Sequence, residues 1–188
     1  FSGFALSAMV MATAVIILPP IELLPMLWWL EMSASILMLK NGWDGADKTM
    51  TYALVIGATI GWPIGLALTI AISVAASKTI ALAVIGLLAI TLLAKIRMPF
   101  LATKPGLYGS GVLSGIVSGV AGVGGMVVAV YVLAADAPAK VMRASLVLYL
   151  FLSAGISMVV LTVFGVMDMS GIARGLFFAI PTMFGVFL

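Results

Sequence analysis

Long apolar runs separated by short polar segments dominate the pattern of this chain. Seven such runs lie at about 1–18, 21–39, 50–73, 78–94, 107–133, 143–167 and 174–188. A helix that crosses the hydrocarbon core of a bilayer needs about 20 predominantly apolar residues. Apolar and polar residues do not alternate along the runs, as they would in a β-barrel. The pattern therefore predicts an all-α fold, a polytopic transmembrane helical bundle.

The positive residues lie mostly between the runs and predict an orientation. If every run crosses the membrane, the loops at 40–49, 95–106 and 168–174 share one side. They carry six positive residues, whereas three, Lys78, Lys140 and Arg143, lie on the other side. The positive-inside rule then favours a cytoplasmic position for the first set. Because the chain begins and ends inside apolar runs, we interpret it as part of a longer protein.

A faint internal repeat suggests two similar halves. A shift of 124 positions (157 − 33) superimposes three residue pairs at equivalent places in the span pattern: Ser33 and Ser157, Asp44 and Asp168, Gly61 and Gly185. Many transporters consist of two such halves. We predict a first transmembrane repeat at 1–106 and a second at 107–188, each truncated at one end. Four spans per repeat would make the halves parallel, and an uncounted half-helix would make them inverted.

Composition excludes several classes of protein. Hydrophobic residues make up 64% of the chain and charged residues 8%, against about 25% charged residues in soluble domains. The sequence has no cysteine and no histidine, which excludes thiol nucleophiles, disulfides and the usual zinc and haem ligands. We therefore expect no cofactor and no metal. The basic residues form no clustered face, so nucleic acid is not an expected partner; the lipid bilayer is.

Residues 109–133 carry the strongest chemical signal. Three glycines spaced by four permit close helix contact: Gly111, Gly115 and Gly119. Four glycines then fall within seven positions, and each weakens the helix by about 1 kcal/mol relative to alanine. These four are Gly119, Gly122, Gly124 and Gly125. A broken helix would free backbone N–H groups for an anion. A tightly packed, ligand-free helix is the equally weighted alternative. For a second triplet, Gly57–Gly61–Gly65, a packing role is favoured.

Two charged residues stand out against the apolar background. Glu31 lies near the middle of the run 21–39, where an ionisable group is costly and usually functional. Such a group suits a proton carrier, although Trp28 and Trp29 could instead mark a membrane interface near it. Arg143 is the first residue of the run 143–167. It is either an anchor at the membrane interface or a guanidinium group that attracts an anion.

The motifs resemble those of the sulfite exporter TauE/SafE family. The resemblance rests on SGIVSGVAGVGG followed by Tyr131–Val132–Leu133, on Arg143–Ala144–Ser145, and on Pro181 with Gly185. Met126 stands where the family motif continues with proline. The resemblance implies a secondary carrier with two similar halves that moves small sulfur-containing anions, such as sulfite or organosulfonates, across a bacterial inner membrane.

Together these observations predict a permease for small anions and not an enzyme. Backbone N–H groups around Gly119–Gly125 and the hydroxyls of Ser114 and Ser118 would bind the anion, Arg143 would attract it, and Glu31 would couple transport to protons. A membrane-embedded enzyme is a poor alternative, because Glu22 and Glu31 lie half a turn apart on a helix. A scaffold or assembly subunit and an anion channel remain alternatives.

Overall fold

A computed structural model describes residues 4–43, 45–96, 98–135 and 138–167, and all regular structure in these ranges is helical. A short 3-10 helix, Pro99–Ala102, precedes α5. The α-helices are α1 (Phe4–Ala14), α2 (Pro20–Gly42), α3 (Lys48–Ala71), α4 (Val74–Leu93), α5 (Lys104–Ala121), α6 (Gly124–Ala134) and α7 (Ala139–Val163). The predicted run 174–188 lies outside the described residues.

Four of these helices, α2, α3, α4 and α7, are long and apolar enough to cross a membrane. The predicted all-α helical membrane bundle is thereby confirmed. The helices α1 and α6 have 11 described residues each. That corresponds to about 16 Å, roughly half of a hydrocarbon core. The helix α6, whose two ends both lie within the described residues, is therefore too short to cross a membrane alone.

Side-chain caps fix where several helices begin. The Asp47 carboxylate accepts a hydrogen bond from the Met50 N–H at the start of α3, and the Ser73 hydroxyl accepts one from Ala76 at the start of α4. The Thr103 hydroxyl does the same for α5. Each cap satisfies an N–H group that the first helical turn leaves unpaired, which lets the chain reverse within a few residues between spans.

The closest helix contact in the described structure joins α3 and α5 along their glycines. A Cβ atom added at Gly61 would lie 2.0 Å from the Val112 carbonyl oxygen, and one added at Gly115 would lie 2.5 Å from that of Ala58. Residues later in α3 oppose residues later in α5, so the two helices run parallel. Glycine permits this approach because it has no side chain at the contact. The packing role favoured for Gly57–Gly61–Gly65 is what the structure shows.

The apolar run 107–133 is two helices and not one span. The helix α5 ends at Ala121, Gly122 adopts a left-handed conformation (φ 65°), and α6 begins at Gly124. The Ser114 hydroxyl donates to the Gly124 carbonyl at 2.7 Å, whereas residues ten apart in one helix would be separated by about 15 Å. The chain therefore folds back, and α6 lies antiparallel beside α5. The predicted glycine-broken helix is confirmed, but the single crossing is wrong.

The long helices α2 and α7 run antiparallel through the centre of the bundle. The Trp28 indole N–H donates to the Ala154 carbonyl at 2.7 Å, and further along α2, Glu31 and Ser35 share a cavity with Val147 and Leu150. The helices α1 and α6 precede α2 and α7 along the chain. The sequence left parallel and inverted halves open, and the structure shows that α2 and α7 run antiparallel to each other. The boundary between residues 106 and 107 remains a prediction, since Asp44 and residues 168–188 lie outside the described ranges.

The hairpin of α5 and α6 also corrects the predicted distribution of charge. Because α6 returns toward the side where α5 starts, α7 begins beside α3: the Asp47 N–H donates to the Ser145 hydroxyl at 2.9 Å. Lys140 and Arg143 therefore lie at the same end as Lys48, and not opposite it. Among the described residues, the other end of the bundle carries one positive residue, Lys78. This end carries six: Lys40, Lys48, Lys95, Lys104, Lys140 and Arg143. The asymmetry predicts that this end is cytoplasmic.

We expect Gly61→Ala to lower the melting temperature of the protein in detergent. The added Cβ would meet backbone of α5 that cannot move aside, and overpacking of this kind costs about 1–3 kcal/mol. Gly86→Ala in α4 is the matched control, because a Cβ there has nothing within 4 Å and alanine favours the helix by about 1 kcal/mol. Equal melting temperatures for the two variants would contradict the close α3–α5 contact.

Single-cysteine labelling tests which ends lie together, against a sequence that contains no cysteine. Thr49→Cys and Lys140→Cys should react with a membrane-impermeant maleimide from the same side, because α3 and α7 start side by side. Ala75→Cys, at the start of α4, should react from the opposite side. If Lys140→Cys reacted from the same side as Ala75→Cys, residues 107–133 would cross the membrane once, as the sequence predicted.

Candidate functional site

Glu31 lies at the middle of α2, about 16 Å along the helix from either end. The Ser7 hydroxyl of α1 donates a hydrogen bond to its Oε1 atom. The Glu31 side chain is thus partly buried at the contact between α1 and α2, at mid-height of α2. Trp28 and Trp29 pack edge to face, with ring centroids 4.8 Å apart, one turn before Glu31 on the same helix.

A small, partly open cavity of about 20 Å³ adjoins Glu31 where α2, α3, α5 and α7 converge. Its volume is enough for about one water molecule. The lining combines apolar side chains of α2 with polar groups from the other helices: Leu24, Leu27, Trp28, Glu31, Trp62, Ser118, Gly122, Ser153 and Ser157. Of these lining residues, Glu31 alone carries a charge. The cavity therefore brings one carboxyl group together with several neutral polar side chains.

Trp62 of α3 supplies a hydrogen-bond donor that has no acceptor. Its side chain is 5% exposed, and its Nε1 atom is buried without a partner. A buried polar group that is not hydrogen-bonded costs about 1–3 kcal/mol and calls for an explanation. Because Trp62 lines the cavity, an acceptor held there would satisfy this donor.

The helix break reaches the cavity through Ser118 and Gly122. Ser118 lies one turn before the end of α5, and its carbonyl accepts from the Gly122 N–H at 2.8 Å. Gly122 is packed against Leu24 and Leu27, such that a Cβ there would lie 2.6 Å from a Leu27 methyl carbon. Two residues later α6 begins, and the first N–H groups of a helix have no acceptor within it. The break therefore places a helix N-terminus, with its partial positive charge, close to the cavity.

The other predicted binding residues pack helices together. The Ser114 hydroxyl is fully buried and already bonded to the Gly124 carbonyl and, at 2.7 Å, to the Tyr149 hydroxyl. The Gly119 carbonyl accepts from the Thr69 hydroxyl of α3 at 3.0 Å. Gly124 presses against Ser118, where a Cβ would fall 1.9 Å from the hydroxyl oxygen. Gly125 is buried in the first turn of α6. Ser114, Gly119, Gly124 and Gly125 therefore support the cavity without lining it.

Arg143 does not reach the cavity. It is exposed in the first turns of α7, ten residues before Ser153, a separation of about 15 Å along the helix. The sequence suggested that Arg143 faced the glycine-rich break across a short loop. The hairpin of α5 and α6 instead carries the break to mid-height and leaves Arg143 at the positively charged end of the bundle.

A second small cavity lies on the other side of Glu31. It has a volume of about 10 Å³ and is lined by Glu31, Ala34, Ser35, Met38, Val147 and Leu150. Ser35 is 3% exposed and lies one turn after Glu31, toward the positively charged end. Glu31 thus separates two cavities, one extending toward the helix break and one along the α2–α7 contact.

The sequence interpretation missed Ser7, Trp62, Ser153 and Ser157. Ser153 and Ser157 are spaced by four on α7, a spacing that places both on one helix face and could have been noticed. The role of Trp62 follows only from its lack of a partner. Within the described ranges, no group of three carboxylate, histidine or cysteine residues is placed to hold a metal ion.

The chain was compared with known proteins. No protein-family model, no curated protein and no solved structure matches it.

We expect Ser114→Ala to destabilise the protein by about 1–3 kcal/mol. The change leaves the Gly124 carbonyl and the Tyr149 hydroxyl, both buried, without their shared partner. Tyr149→Phe is the control and should cost less, because it removes the hydroxyl itself and leaves Ser114 bonded to Gly124. Unfolding in a denaturant series measures both. A larger loss in Tyr149→Phe would show that Ser114 does not join α6 to α7 in this way.

Proposed function

We propose that this chain belongs to a secondary transporter for small anions, with sulfur oxyanions such as sulfite or organosulfonates as substrates. The observation that carries the proposal is the small polar cavity at the helix break, which is lined by the buried and unpaired indole donor of Trp62. The resemblance to the TauE/SafE family motifs suggests the sulfur anions and a bacterial inner membrane. The proposal assigns the chain no catalytic role.

The groups around the cavity suit an oxyanion. The Trp62 indole N–H and the Ser118 hydroxyl can donate to separate oxygens of a sulfite or sulfonate group, and hydrogen bonds to charged acceptors are about twice as strong as neutral ones. Ser153 lines the same space and is also hydrogen-bonded to Tyr149. The helix N-terminus at Gly124 adds a partial positive charge nearby. Half-helix N-termini directed at anionic substrate groups are a recurring arrangement in transporters built from inverted repeats.

The size of the cavity indicates a closed state. About 20 Å³ holds roughly one water molecule and is too small for a sulfite ion. The transporter would admit its substrate when the half containing α1 and α2 moves relative to the half containing α6 and α7. The α2–α7 contact beside Glu31 is where such rocking would widen the cavity.

The remaining predicted residues take supporting roles in this proposal. Gly119 and Gly124 allow α5 to approach α3 and α6 closely enough to hold Ser118 in place, and Ser114 joins α6 to α7. Arg143 would act at the entrance, together with the other positive residues of that end, by raising the local concentration of anions. Glu31 would couple transport to protons.

Counterflow tests the transport proposal directly. Liposomes containing the full-length protein and unlabelled sulfite should accumulate labelled sulfite transiently, because a saturable carrier exchanges one for the other. A channel would show conduction without counterflow, and a scaffold subunit would show neither. Absence of counterflow with both sulfite and methanesulfonate, in protein with a cooperative melting transition, would overturn the proposed function.

In the same assay, Trp62→Phe should raise the half-saturation concentration for sulfite by about tenfold to a hundredfold, the range expected for losing one hydrogen bond to a charged group. The aromatic packing is largely kept, and no bond within the described protein is lost. Trp29→Phe is the matched control, since its Nε1 is also buried without a partner but Trp29 does not line the cavity. Similar behaviour of the two variants would remove Trp62 from the binding site.

A further inference from the structure

We propose, resting on the function proposed above, that the anion and a proton bind together, with the proton carried by Glu31 in the same cavity. Glu31 and the proposed anion-binding donors line one small cavity. The transporter would therefore load the two as a neutral pair and would not exchange one for the other.

The shared cavity sets the sign of the coupling. An ionised Glu31 and an anion held by Trp62 and Ser118 would be two negative charges within one small space between the helices. Like charges in such a site disfavour one another strongly, as paired carboxylates do. Protonation of Glu31 removes this repulsion, so the anion favours the protonated state and, by thermodynamic reciprocity, the proton favours the anion-bound state.

No described cation offsets the charge of Glu31. The helices packed against α2 are α1, α3, α4, α5 and α7, and α1 carries no charged residue. Lys78 of α4 donates to the Ile16 carbonyl at 3.1 Å, and Lys48 of α3 lies over the Trp43 ring. The other described charges on these helices and on α2 lie near helix ends: Glu22, Lys40, Lys104, Lys140 and Arg143. Tyr149 of α7 is a titratable neighbour, and its hydroxyl is bonded to Ser114.

The surroundings of Glu31 suit both of its protonation states. The Ser7 hydroxyl, itself fully buried, donates to the ionised carboxylate and can accept from the protonated one, because a hydroxyl is both donor and acceptor. The second cavity, lined by Ser35, reaches Glu31 from the side away from Trp62. A proton can therefore approach Glu31 without crossing the position of the anion.

The direction of the pH effect follows from these contacts. Above the pH at which Glu31 ionises in the empty protein, each anion must bring a proton with it. The affinity for the anion should then fall by about tenfold for each pH unit, as linkage requires for one proton taken up per anion. Below that pH, the affinity should be constant.

Counterflow of labelled methanesulfonate, at equal pH on both sides of the liposome membrane, tests the coupling. Methanesulfonate keeps one negative charge at mildly acidic and mildly alkaline pH, so a change in affinity reports on the protein. The half-saturation concentration should rise with pH in the wild-type protein. Glu31→Gln should remove the pH dependence of the half-saturation concentration and keep the affinity that the wild-type protein has at acidic pH. Glu22 is an exposed carboxylate on the same helix, so Glu22→Gln should behave as the wild type.

A second measurement needs no variant. In weakly buffered detergent solution at alkaline pH, binding of methanesulfonate to the full-length protein should take up about one proton per anion, detected with a pH indicator. Three outcomes would each overturn the shared loading. The first is an affinity that stays constant or rises with pH, and the second is a lack of proton uptake. The third is loss of counterflow in a Glu31→Gln protein that melts like the wild type. If wild-type protein gives no counterflow with sulfite or methanesulfonate, the transport function itself fails.

Discussion

A backbone N–H or carbonyl group exposed to hydrocarbon costs several kcal/mol, and the architecture of this bundle depends on how it meets that constraint. The chain breaks its helix at Gly122 and Val123, which are surrounded by protein on all sides. Gly122 packs against Leu24 and Leu27, and Val123 is 1% exposed. The break is tolerated because α2, α3 and α7 enclose it, and these helices also bring several polar side chains together beside it.

The glycines of α3 and α5 make this enclosure possible. At Gly61 and Gly115 the two helices touch backbone to backbone, which brings Trp62 to the level of the break. A bulkier residue at these contacts would push α3 outward and carry the indole N–H away from Ser118. The packing of two full-length helices and the chemistry of the cavity are therefore set by the same small residues. This is a reason to treat helix spacing and the geometry of the cavity together in this protein.

Much of the fold could be predicted from the sequence, because apolar run length and glycine density report directly on helices and their interruptions. The apolar run 78–94 corresponds to α4, and the density of glycines at Gly119–Gly125 predicted the helix break. The reversal after the break could not be predicted, since periodicity does not tell whether a chain continues or turns back. Because the reversal was not predicted, the sequence analysis also assigned Arg143 and Lys140 to the wrong end of the bundle. For the candidate site, Glu31, Ser118 and Gly122 were predicted from their residue type and depth, and the structure places them around one cavity. Trp62 depends on the absence of a partner, which only coordinates reveal.

The two cavities beside Glu31 have volumes of about 20 and 10 Å³, so each accommodates about one water molecule at most. A bilayer that stores energy as a proton gradient is discharged by any protein that contains a continuous file of water. Single water molecules on either side of one carboxyl group, within packed leucine and valine side chains, do not form such a file. In this conformation the two cavities would therefore give protons no continuous path across a bilayer.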